Sequence, residues 1–290
     1  MMKAPEIFDN NQLLRQRMRS VAQFSEVDFL RQIAVDRLAD RLDLMRRHFA
    51  NLLDVGAQGG MVAQSLSSHE KLGQITSLDP CDGFVQQASA FGPSYQMDFE
   101  RLPDDLPQFD AVTSLLYLHQ INDLPGLMQQ MASILRPDGL FFACLLGGRT
   151  LQELRACLSA AEEEILGGIS PHVSPMADIR NIGGLLQRAG LALPVADSEL
   201  LTITYSSIFT LMAELRNLGE GNALIGRRQH FTRRDVFMRA ASLYQERYPA
   251  EDGKIQASFE LIYLTAWKPD ASQPKALRPG SATKQIPDLF

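Results

Sequence analysis

One stretch of the sequence constrains the fold more than any other: an apolar run over residues 51–55 that leads into a glycine-containing turn. Asp54 and Gly56 lie at the end of the run, Gly60 closes the turn, and a helical pattern follows directly. Glycine at position 56 permits a positive φ, and glycine at position 60 lets the first helical turn approach a ligand without a Cβ in between. Asp79 ends the next apolar run, where an acid can bind the two hydroxyl groups of a ribose. The pattern predicts a buried strand, a tight turn and a helix start that together bind a nucleotide-type ligand.

The spacing of the glycines distinguishes between nucleotide cofactors. A dinucleotide fingerprint that starts at Gly56 requires glycine at positions 58 and 61, where this chain has Gln58 and Met61. NAD is therefore disfavoured. An acid two residues before the first glycine, with a second acid after the next strand, resembles the cofactor motifs of the class I S-adenosylmethionine methyltransferases. These usually carry glycine at position 58 as well, so Gln58 is a departure. The prediction is S-adenosylmethionine, and the alternative is an ordinary strand-to-helix turn without a ligand.

Composition limits the class of protein and its partners. The chain has 290 residues, 45% of them hydrophobic, which suffices for a large core, and a formal net charge of −6. Because no basic field is present, nucleic acid is not expected as a partner. The three cysteines are odd in number and widely spaced, which fits a reducing compartment and predicts neither a disulfide framework nor a zinc site. No stretch is long and apolar enough for a membrane span. The prediction is a cytoplasmic protein, with peripheral attachment to the inner membrane left open.

Residues 51–146 alternate between strand and helix patterns, which predicts a parallel sheet with the ligand at the carboxyl ends of the strands. The fold class predicted is α/β, a Rossmann-like, seven-stranded class I methyltransferase fold with N-terminal helices and a helical cap inserted between the last two strands. The first five strands are expected near residues 51–55, 74–79, 93–97, 110–116 and 140–146. The helices between them are expected near residues 59–68, 82–90 and 123–136, and residues 135–139 are predicted to be a helix end and turn.

The remaining segments give a division of the chain into a helical lid, a core domain and a tail. Residues 1–50 are predicted to form two helices that either close over the cofactor or simply pack against the sheet. As a lid they would bring Arg15 or Arg19 to the methionine carboxylate of the cofactor. Residues 51–268 form the core domain, with strands near 191–205 and 258–267, and a cap at about 207–248. The tail, residues 269–290, is rich in proline, serine and charge and is predicted to be poorly ordered.

Polar residues after the third and fourth strands complete the candidate site. Asp98 is positioned to accept from the adenine amino group, with Phe99 and its backbone N–H beside the ring, and Ser114 on the fourth strand joins the predicted cofactor set. His119 follows the fourth strand, at the edge that faces the transferred group, and is a candidate acid or base. The alternative for His119 is a hydrogen bond to the backbone. The long loop over residues 167–175 supplies a second catalytic candidate, His172.

Several reaction types require sequence motifs that this chain lacks. There is no Asn/Asp-Pro-Pro-Tyr after the fourth strand to hold a planar amino group, and no pair of glutamates between residues 114 and 123 to bind a guanidinium. None of the five histidines starts a His-x-Asp/Glu pair, so no iron-binding facial triad or other metal site is predicted. The residues predict a cofactor site and leave the reaction open.

Several segments together resemble the mitochondrial complex I assembly factors of the arginine-hydroxylase type and their alphaproteobacterial relatives. The resemblance runs from residue 7 to residue 283, and most relatives have glycine or histidine at position 58 and tryptophan at position 120, where this chain has Gln58 and Gln120. A wider and weaker similarity, expected over residues 51–146 only, includes the malonyl-carrier-protein O-methyltransferases. The segments are Leu118-His-Gln-Ile-Asn-Asp-Leu-Pro125, Leu146-Gly-Gly-Arg-Thr-Leu-Gln-Glu-Leu-Arg155, Gly167-Gly-Ile-Ser-Pro-His-Val-Ser-Pro175, Leu185-Leu-Gln-Arg-Ala-Gly190 and the strand from Phe259 to Trp267.

The resemblance implies an enzyme that binds S-adenosylmethionine and hydroxylates an arginine on the quinone-site subunit of respiratory complex I. A protein substrate is therefore expected. One alternative is methyl transfer to a small carboxylic acid or a carrier-bound acyl group, which needs mainly proximity and therefore few catalytic side chains. Another is a non-catalytic assembly chaperone, if the Gln58 side chain obstructs the cofactor.

Overall fold

The computed structural model describes residues 6–274, and their centre is one seven-stranded sheet. The spatial order of the strands is β3-β2-β1-β4-β5-β7-β6. The first five strands run parallel, and β7 is antiparallel to both of its neighbours, β5 and β6. This arrangement confirms the predicted fold class. The strands are β1 (Phe49–Val55), β2 (Leu72–Asp79), β3 (Ser94–Gln96), β4 (Phe109–Leu115), β5 (Leu135–Leu146), β6 (Ala192–Tyr205) and β7 (Ile255–Trp267).

Nine α-helices lie within the described residues and cover both faces of the sheet. Buried apolar side chains form one large core cluster on each face, because β1, β4 and β5 alternate their side chains between the two faces. The helices are α1 (Asn10–Ser20), α2 (Phe29–Leu44), α3 (Met61–Leu66), α4 (Asp82–Ala88), α5 (Leu124–Ser133), α6 (Gln152–Leu166), α7 (Ile179–Arg188), α8 (Ile208–Asn217) and α9 (Arg234–Arg247).

The strand order reverses direction at β1, which pairs with β2 on one side and with β4 on the other. Asp54 of β1 is in register with Ser77 of β2 and Thr113 of β4. In open α/β sheets, ligands bind in the crevice at such a switch point, beyond the carboxyl ends of the strands. The topology therefore places the predicted glycine turn, the second acid and the end of β4 at one edge of the sheet.

The start of β5 differs from the prediction. Residues 135–139 are not a helix end and turn, since α5 ends at Ser133 and the strand begins at Leu135. Leu135 pairs with Phe109, whereas Leu140 pairs with Ala111, so the intervening residues bulge out of the ladder. Pro137 has no N–H to donate to a ladder, and Asp138 has a φ of 58°, which explains why the sequence resembles a turn.

Helices α8 and α9 form the predicted cap between β6 and β7. Helix α9 packs against α6, and α8 packs against α1. The chain start is tied to this cap by the N-terminal seam, formed by residues 7–9 against residues 223–227. In the seam the Asp9 N–H donates to Ala223 O at 2.8 Å and the Ile225 N–H donates to Ile7 O at 2.9 Å. The N-terminal helices and the cap thus meet over one end of the sheet.

Most of the predicted poorly ordered tail lies outside the described residues, which end at residue 274. None of the helices within residues 6–274 combines the length and the apolar character that crossing a bilayer requires.

Candidate functional site

The glycine turn after β1 is pinned to β2 by its own backbone. The N–H groups of Gly56 and Ala57 both donate to Leu78 O, at 2.8 and 2.9 Å. Gly56 has a φ of 76°, and a Cβ there would lie 2.2 Å from Cγ of Tyr117. At Gly60, with a φ of 81°, a Cβ would lie 2.8 Å from the Cα of Ala88 in α4. Both positions therefore need glycine, the first because the Tyr117 ring covers the turn and the second because α4 approaches α3.

The two predicted acids lie beside each other and are completely buried. Asp54 is 0% exposed, and neither of its carboxylate oxygens has a hydrogen-bond partner in the described part of the chain. Asp79 is 1% exposed and accepts from the backbone N–H of Gln58 at 3.0 Å and from that of Cys81 at 2.8 Å. The buried, unpartnered oxygens of Asp54 are the kind of acceptor that a ligand with N–H or O–H donors satisfies.

An arginine of α1 fills the space in front of Asp79. The Nη2 of Arg17 is 3.0 Å from Asp79 Oδ2, and the Arg17 side chain is 2% exposed. Its guanidinium lies over the ring of Tyr117, with Cζ 5.0 Å from the ring centroid, and 5.9 Å from that of Phe84. Burial works to lower the pKa of Arg17, but attraction to Asp79 outweighs it and the pKa is raised. The chain itself thus occupies the position predicted for the ribose.

A second buried arginine, Arg31 of α2, holds the other side of the turn. It donates to Gly56 O at 2.8 Å, to Leu115 O at 2.7 Å and to the side-chain oxygen of Gln58. Its Nη2 is 3.8 Å from Asp54 Oδ2, and burial lowers its pKa. Gln58, with a φ of 42°, therefore directs its side chain at Arg31 and its N–H at Asp79.

Neither buried arginine was predicted from the sequence, where Arg15 or Arg19 was expected to reach the methionine carboxylate of the cofactor if the N-terminal helices form a lid. Arg15 and Arg19 are exposed on α1. The signal that could have found the others is helical spacing. Arg17 is four residues from buried Leu13, and Arg31 is three and seven residues from buried Ala34 and Leu38, so each arginine shares the apolar face of its helix.

The adenine end of the predicted site is open beside Asp98. This exposed residue lines a cavity of about 430 Å³ together with residues 101–104. Its Oδ1 accepts the N–H of Phe99 at 2.6 Å. The buried Phe99 ring stacks at 6.4 Å on that of Tyr117, whose hydroxyl donates to Phe99 O. The carboxylate and the N–H predicted to contact adenine are thus adjacent and, in this state, bonded to each other.

Ser114 has a different environment from the other predicted cofactor residues. It is 0% exposed, and its hydroxyl donates to Val55 O at 2.8 Å, which ties β4 to β1 next to the glycine turn. A contact of Ser114 with the cofactor stays a prediction.

His119 lies after β4 and forms a cluster with a glutamate of the cap. Its Nε2 is 3.2 Å from Oε1 of Glu220, and Gln120 Nε2 donates to Oε2 of the same carboxylate at 2.7 Å. The Nδ1 of His119 and the Oε1 of Gln120 are buried and have no partner among the described residues. The alternative of a backbone hydrogen bond for His119 is wrong within the described residues, since its ring contacts a carboxylate instead.

A capping motif places Glu220 in that cluster. Gly219, with a φ of 78°, follows α8 and donates to Arg216 O, while the Glu220 N–H donates to Leu215 O. This pair of bonds is a Schellman motif, which reverses the chain direction at a helix end. Glu220 was not predicted from the sequence, although Gly219 directly after a helical pattern is a signal for the reversal.

His172 is held by a buried glutamate of α6. Its Nε2 is 3.0 Å from Oε1 of Glu162 in α6 and 3.3 Å from the hydroxyl of Ser170. Burial works to raise the pKa of Glu162, but the hydrogen bonds from Ser170 and His172 outweigh it and lower the pKa. His172 and Glu220 line the same two cavities, of about 310 and 50 Å³. The structure therefore brings both candidate histidines to the surroundings of Glu220.

The residues at the switch point fit S-adenosylmethionine in their chemistry. Asp79 can accept from ribose hydroxyls, Asp98 from an adenine amino group, and the buried Asp54 carboxylate has no hydrogen-bond partner among the described residues. For the cofactor to fit, the Arg17 side chain must leave Asp79, because its guanidinium is bonded to the carboxylate that the ribose hydroxyls would contact.

The burial of Asp54 predicts a distinctive pH dependence of stability. Burial raises the pKa of Asp54 to about 6 from its usual 3.8, with attraction to Arg31 opposing the rise. The folded protein then holds a proton that the unfolded chain has released, so this group's contribution to stability falls as pH rises from about 4 to about 6. Between about pH 4 and pH 7, the stability of Asp54→Asn relative to wild type should increase by about 2 kcal/mol. Urea unfolding at both pH values measures this, and a constant difference contradicts the raised pKa.

Comparison with known proteins identifies the family. Residues 53–143 match the family model of a methyltransferase domain. The chain is 36% identical over 288 residues to arginine-hydroxylase NDUFAF5, mitochondrial, of Danio rerio, covering 98% of this chain and 89% of the relative. It is 36% identical over 268 residues to the human protein of the same name, covering 91% and 77%.

A second group of relatives and the solved structures agree with the fold. The malonyl-[acyl-carrier protein] O-methyltransferase of Gallionella capsiferriformans is 31% identical over 258 residues, covering 85% of each chain. The expectation that this similarity covers only residues 51–146 is therefore wrong. The crystal structure of the YcgJ protein from Bacillus subtilis matches with a TM-score of 0.58 at 15% identity, covering 82% of this chain and 99% of that one. The chain belongs to the arginine-hydroxylase NDUFAF5 family of S-adenosylmethionine-dependent enzymes with a class I methyltransferase fold.

Proposed function

We propose that this enzyme hydroxylates an arginine side chain of a protein substrate, and that the substrate is the quinone-site subunit of respiratory complex I. The observation that carries the proposal is the 36% identity, over nearly the whole chain, to relatives named arginine-hydroxylase. The proposal includes a cytoplasmic location with peripheral contact to the inner membrane, where such a subunit is assembled.

The proposed cofactor set is Asp54, Gly56, Gly60, Asp79, Asp98, Phe99 and Ser114. When bound, S-adenosylmethionine would supply an activated methyl group on a sulfonium, which serves methyl transfer; a hydroxylation would take its oxygen atom from O2 and two electrons from an external reductant, with the second oxygen atom leaving as water. Asp79 and Asp98 would position the ribose and the adenine, and Tyr117 would cover the glycine turn. The proposed catalytic residues are His119 and His172, each held in orientation by a glutamate, so that either ring can take or give a proton through its other nitrogen.

A second candidate function is O-methylation of a carboxylate on an acidic carrier protein. Two arginines, Arg19 and Arg216, line the cavity of about 310 Å³ under the cap, and positive side chains at a cavity favour an acidic partner. The O-methyltransferase relatives at about 31% identity are consistent with this.

One experiment separates these functions. The purified enzyme is first titrated with S-adenosylmethionine, S-adenosylhomocysteine and NAD by calorimetry, and only the first two should bind. It is then incubated with S-adenosylmethionine, under air and with a reductant, and with either arginine-containing peptides of the quinone-site subunit or malonyl-carrier protein. Mass spectrometry should show one added oxygen on an arginine peptide. Added methylene mass on the malonyl carrier supports the second candidate, and no change in either substrate contradicts both.

A further inference from the structure

Glu220 lies where the cap-side cavities meet the cofactor site. It lines the cavity of about 310 Å³ under the cap, the adjoining one of about 50 Å³, and a small one of about 30 Å³ that reaches Arg31 and Gln58 beside the glycine turn. No other residue within the described part of the chain lines all three. A group that enters under the cap and approaches the cofactor therefore passes this carboxylate.

The carboxylate is partly buried and has no arginine or lysine bonded to it within the described residues. The Glu220 side chain is 16% exposed, and its hydrogen bonds within the described residues come from His119 and Gln120. Arg19 and Arg216 line the same outer cavity without pairing with it, and Arg17 is held by Asp79. A partly buried carboxylate is stabilised by a cation that also donates hydrogen bonds, and Arg17, the nearby guanidinium, gives its hydrogen bond to Asp79 instead.

The neighbouring amide adds a second acceptor. Gln120 is 4% exposed, its Nε2 donates to Glu220, and its Oε1 has no hydrogen-bond partner among the described residues. A carboxylate next to an unpaired amide oxygen complements the guanidinium group, which carries five donors in one plane and no acceptor. The field of Glu220 already favours a guanidinium nearby, since it contributes to raising the pKa of Arg17.

We propose that Glu220, together with the Gln120 side-chain oxygen, receives the guanidinium of the acceptor arginine. This inference rests on the proposed function and assigns the residue that recognises its substrate class. Glu220 is then a specificity residue that touches the substrate. The competing explanation is that Glu220 only orients His119.

The test measures binding rather than turnover. A subunit peptide with one arginine and the same peptide with citrulline, its neutral analogue, are titrated into wild type, Glu220→Gln and Glu163→Gln, all saturated with S-adenosylhomocysteine. Glu163 is an exposed glutamate of α6 and serves as the matched control. Wild type and the control should prefer arginine over citrulline by about tenfold or more, and Glu220→Gln should lose the preference. Affinity for S-adenosylhomocysteine and the melting temperature should change little.

A further variant separates recognition from orientation. His119→Gln keeps an amide donor next to Glu220 but removes the ring. If Glu220 binds the guanidinium, His119→Gln retains the preference for arginine. If His119→Gln loses it, or if Glu220→Gln keeps it, the inference is overturned while the proposed function stands. If wild type binds both peptides equally and modifies neither, the proposed function fails and the inference fails with it.

Discussion

Asp79→Asn is expected to lower the free energy of unfolding by about 3–5 kcal/mol and to abolish detectable binding of S-adenosylmethionine. The stability loss arises because Arg17 is 1% exposed and stays charged at any ordinary pH, so that removing Asp79 leaves a buried cation without its partner. The binding loss arises because the proposed acceptor of the ribose hydroxyls is gone. Chemical unfolding and calorimetric titration measure the two effects separately.

The double variant Arg17→Met, Asp79→Asn distinguishes these two roles. Removing the unpaired cation should restore stability to within about 1–2 kcal/mol of wild type, because an apolar replacement of a buried pair is often neutral. Binding should not return. Arg17→Met alone should bind S-adenosylmethionine several-fold more tightly than wild type, since the side chain that competes for Asp79 is missing. If Asp79→Asn is as stable as wild type, the two residues are not paired in solution.

Gly56→Ala is the second change with a large expected effect. A Cβ at this position would overlap the Tyr117 ring at 2.2 Å, and the φ of 76° is itself unfavourable for alanine. Left-handed backbone costs about 1–2 kcal/mol and overpacking about 1–3 kcal/mol, so the total loss should be about 2–5 kcal/mol. Thermal and urea unfolding check this value.

Gly167→Ala provides the control for Gly56→Ala. Gly167 ends α6 with a φ of 67°, and nothing lies within 4 Å of a Cβ built there. It should therefore show the backbone cost alone, about 1–2 kcal/mol. The difference between the two variants measures how firmly Tyr117 is held over the turn. Equal losses would mean that the ring moves aside freely.

The fold could be predicted because its determinants are local. β1, β2 and β4 are apolar runs, β1 ends before a glycine and β2 ends at an acid, and the bounds of all three shift by only one or two residues. The start of β5 was missed because Pro137 and Gly139 normally end an element. There the pairing of Leu135 with Phe109, a contact between distant residues, continues the strand through a bulge.

The candidate site was predicted less completely, for a related reason. Asp54 and Asp79 lie at the carboxyl ends of β1 and β2, Asp98 follows β3, and all three were predicted from position alone. The other residues of the site contact partners that are distant in sequence. Asp79, for example, is 62 residues from Arg17. The same holds for Arg31 and for Glu220 of the cap. The arginine residues of a helix look alike in sequence. Only their spacing from the apolar residues of the same helix shows which of them is buried.

The N-terminal seam has a consequence for the timing of each catalytic cycle. Asn122, three residues after His119, accepts the N–H groups of Ile7 and Phe8 through its side-chain oxygen. Asp9 is paired with Arg227 at 3.0 Å. The segment that leads into α1 is therefore bonded both to the loop after β4, which carries His119, and to the cap. If α1 moves so that Arg17 leaves Asp79, several hydrogen bonds and the ion pair of the N-terminal seam must break together. We expect product departure, rather than the chemical step, to limit the turnover rate, with amide exchange at Asp9 and Ile225 proceeding at the same rate as cofactor release.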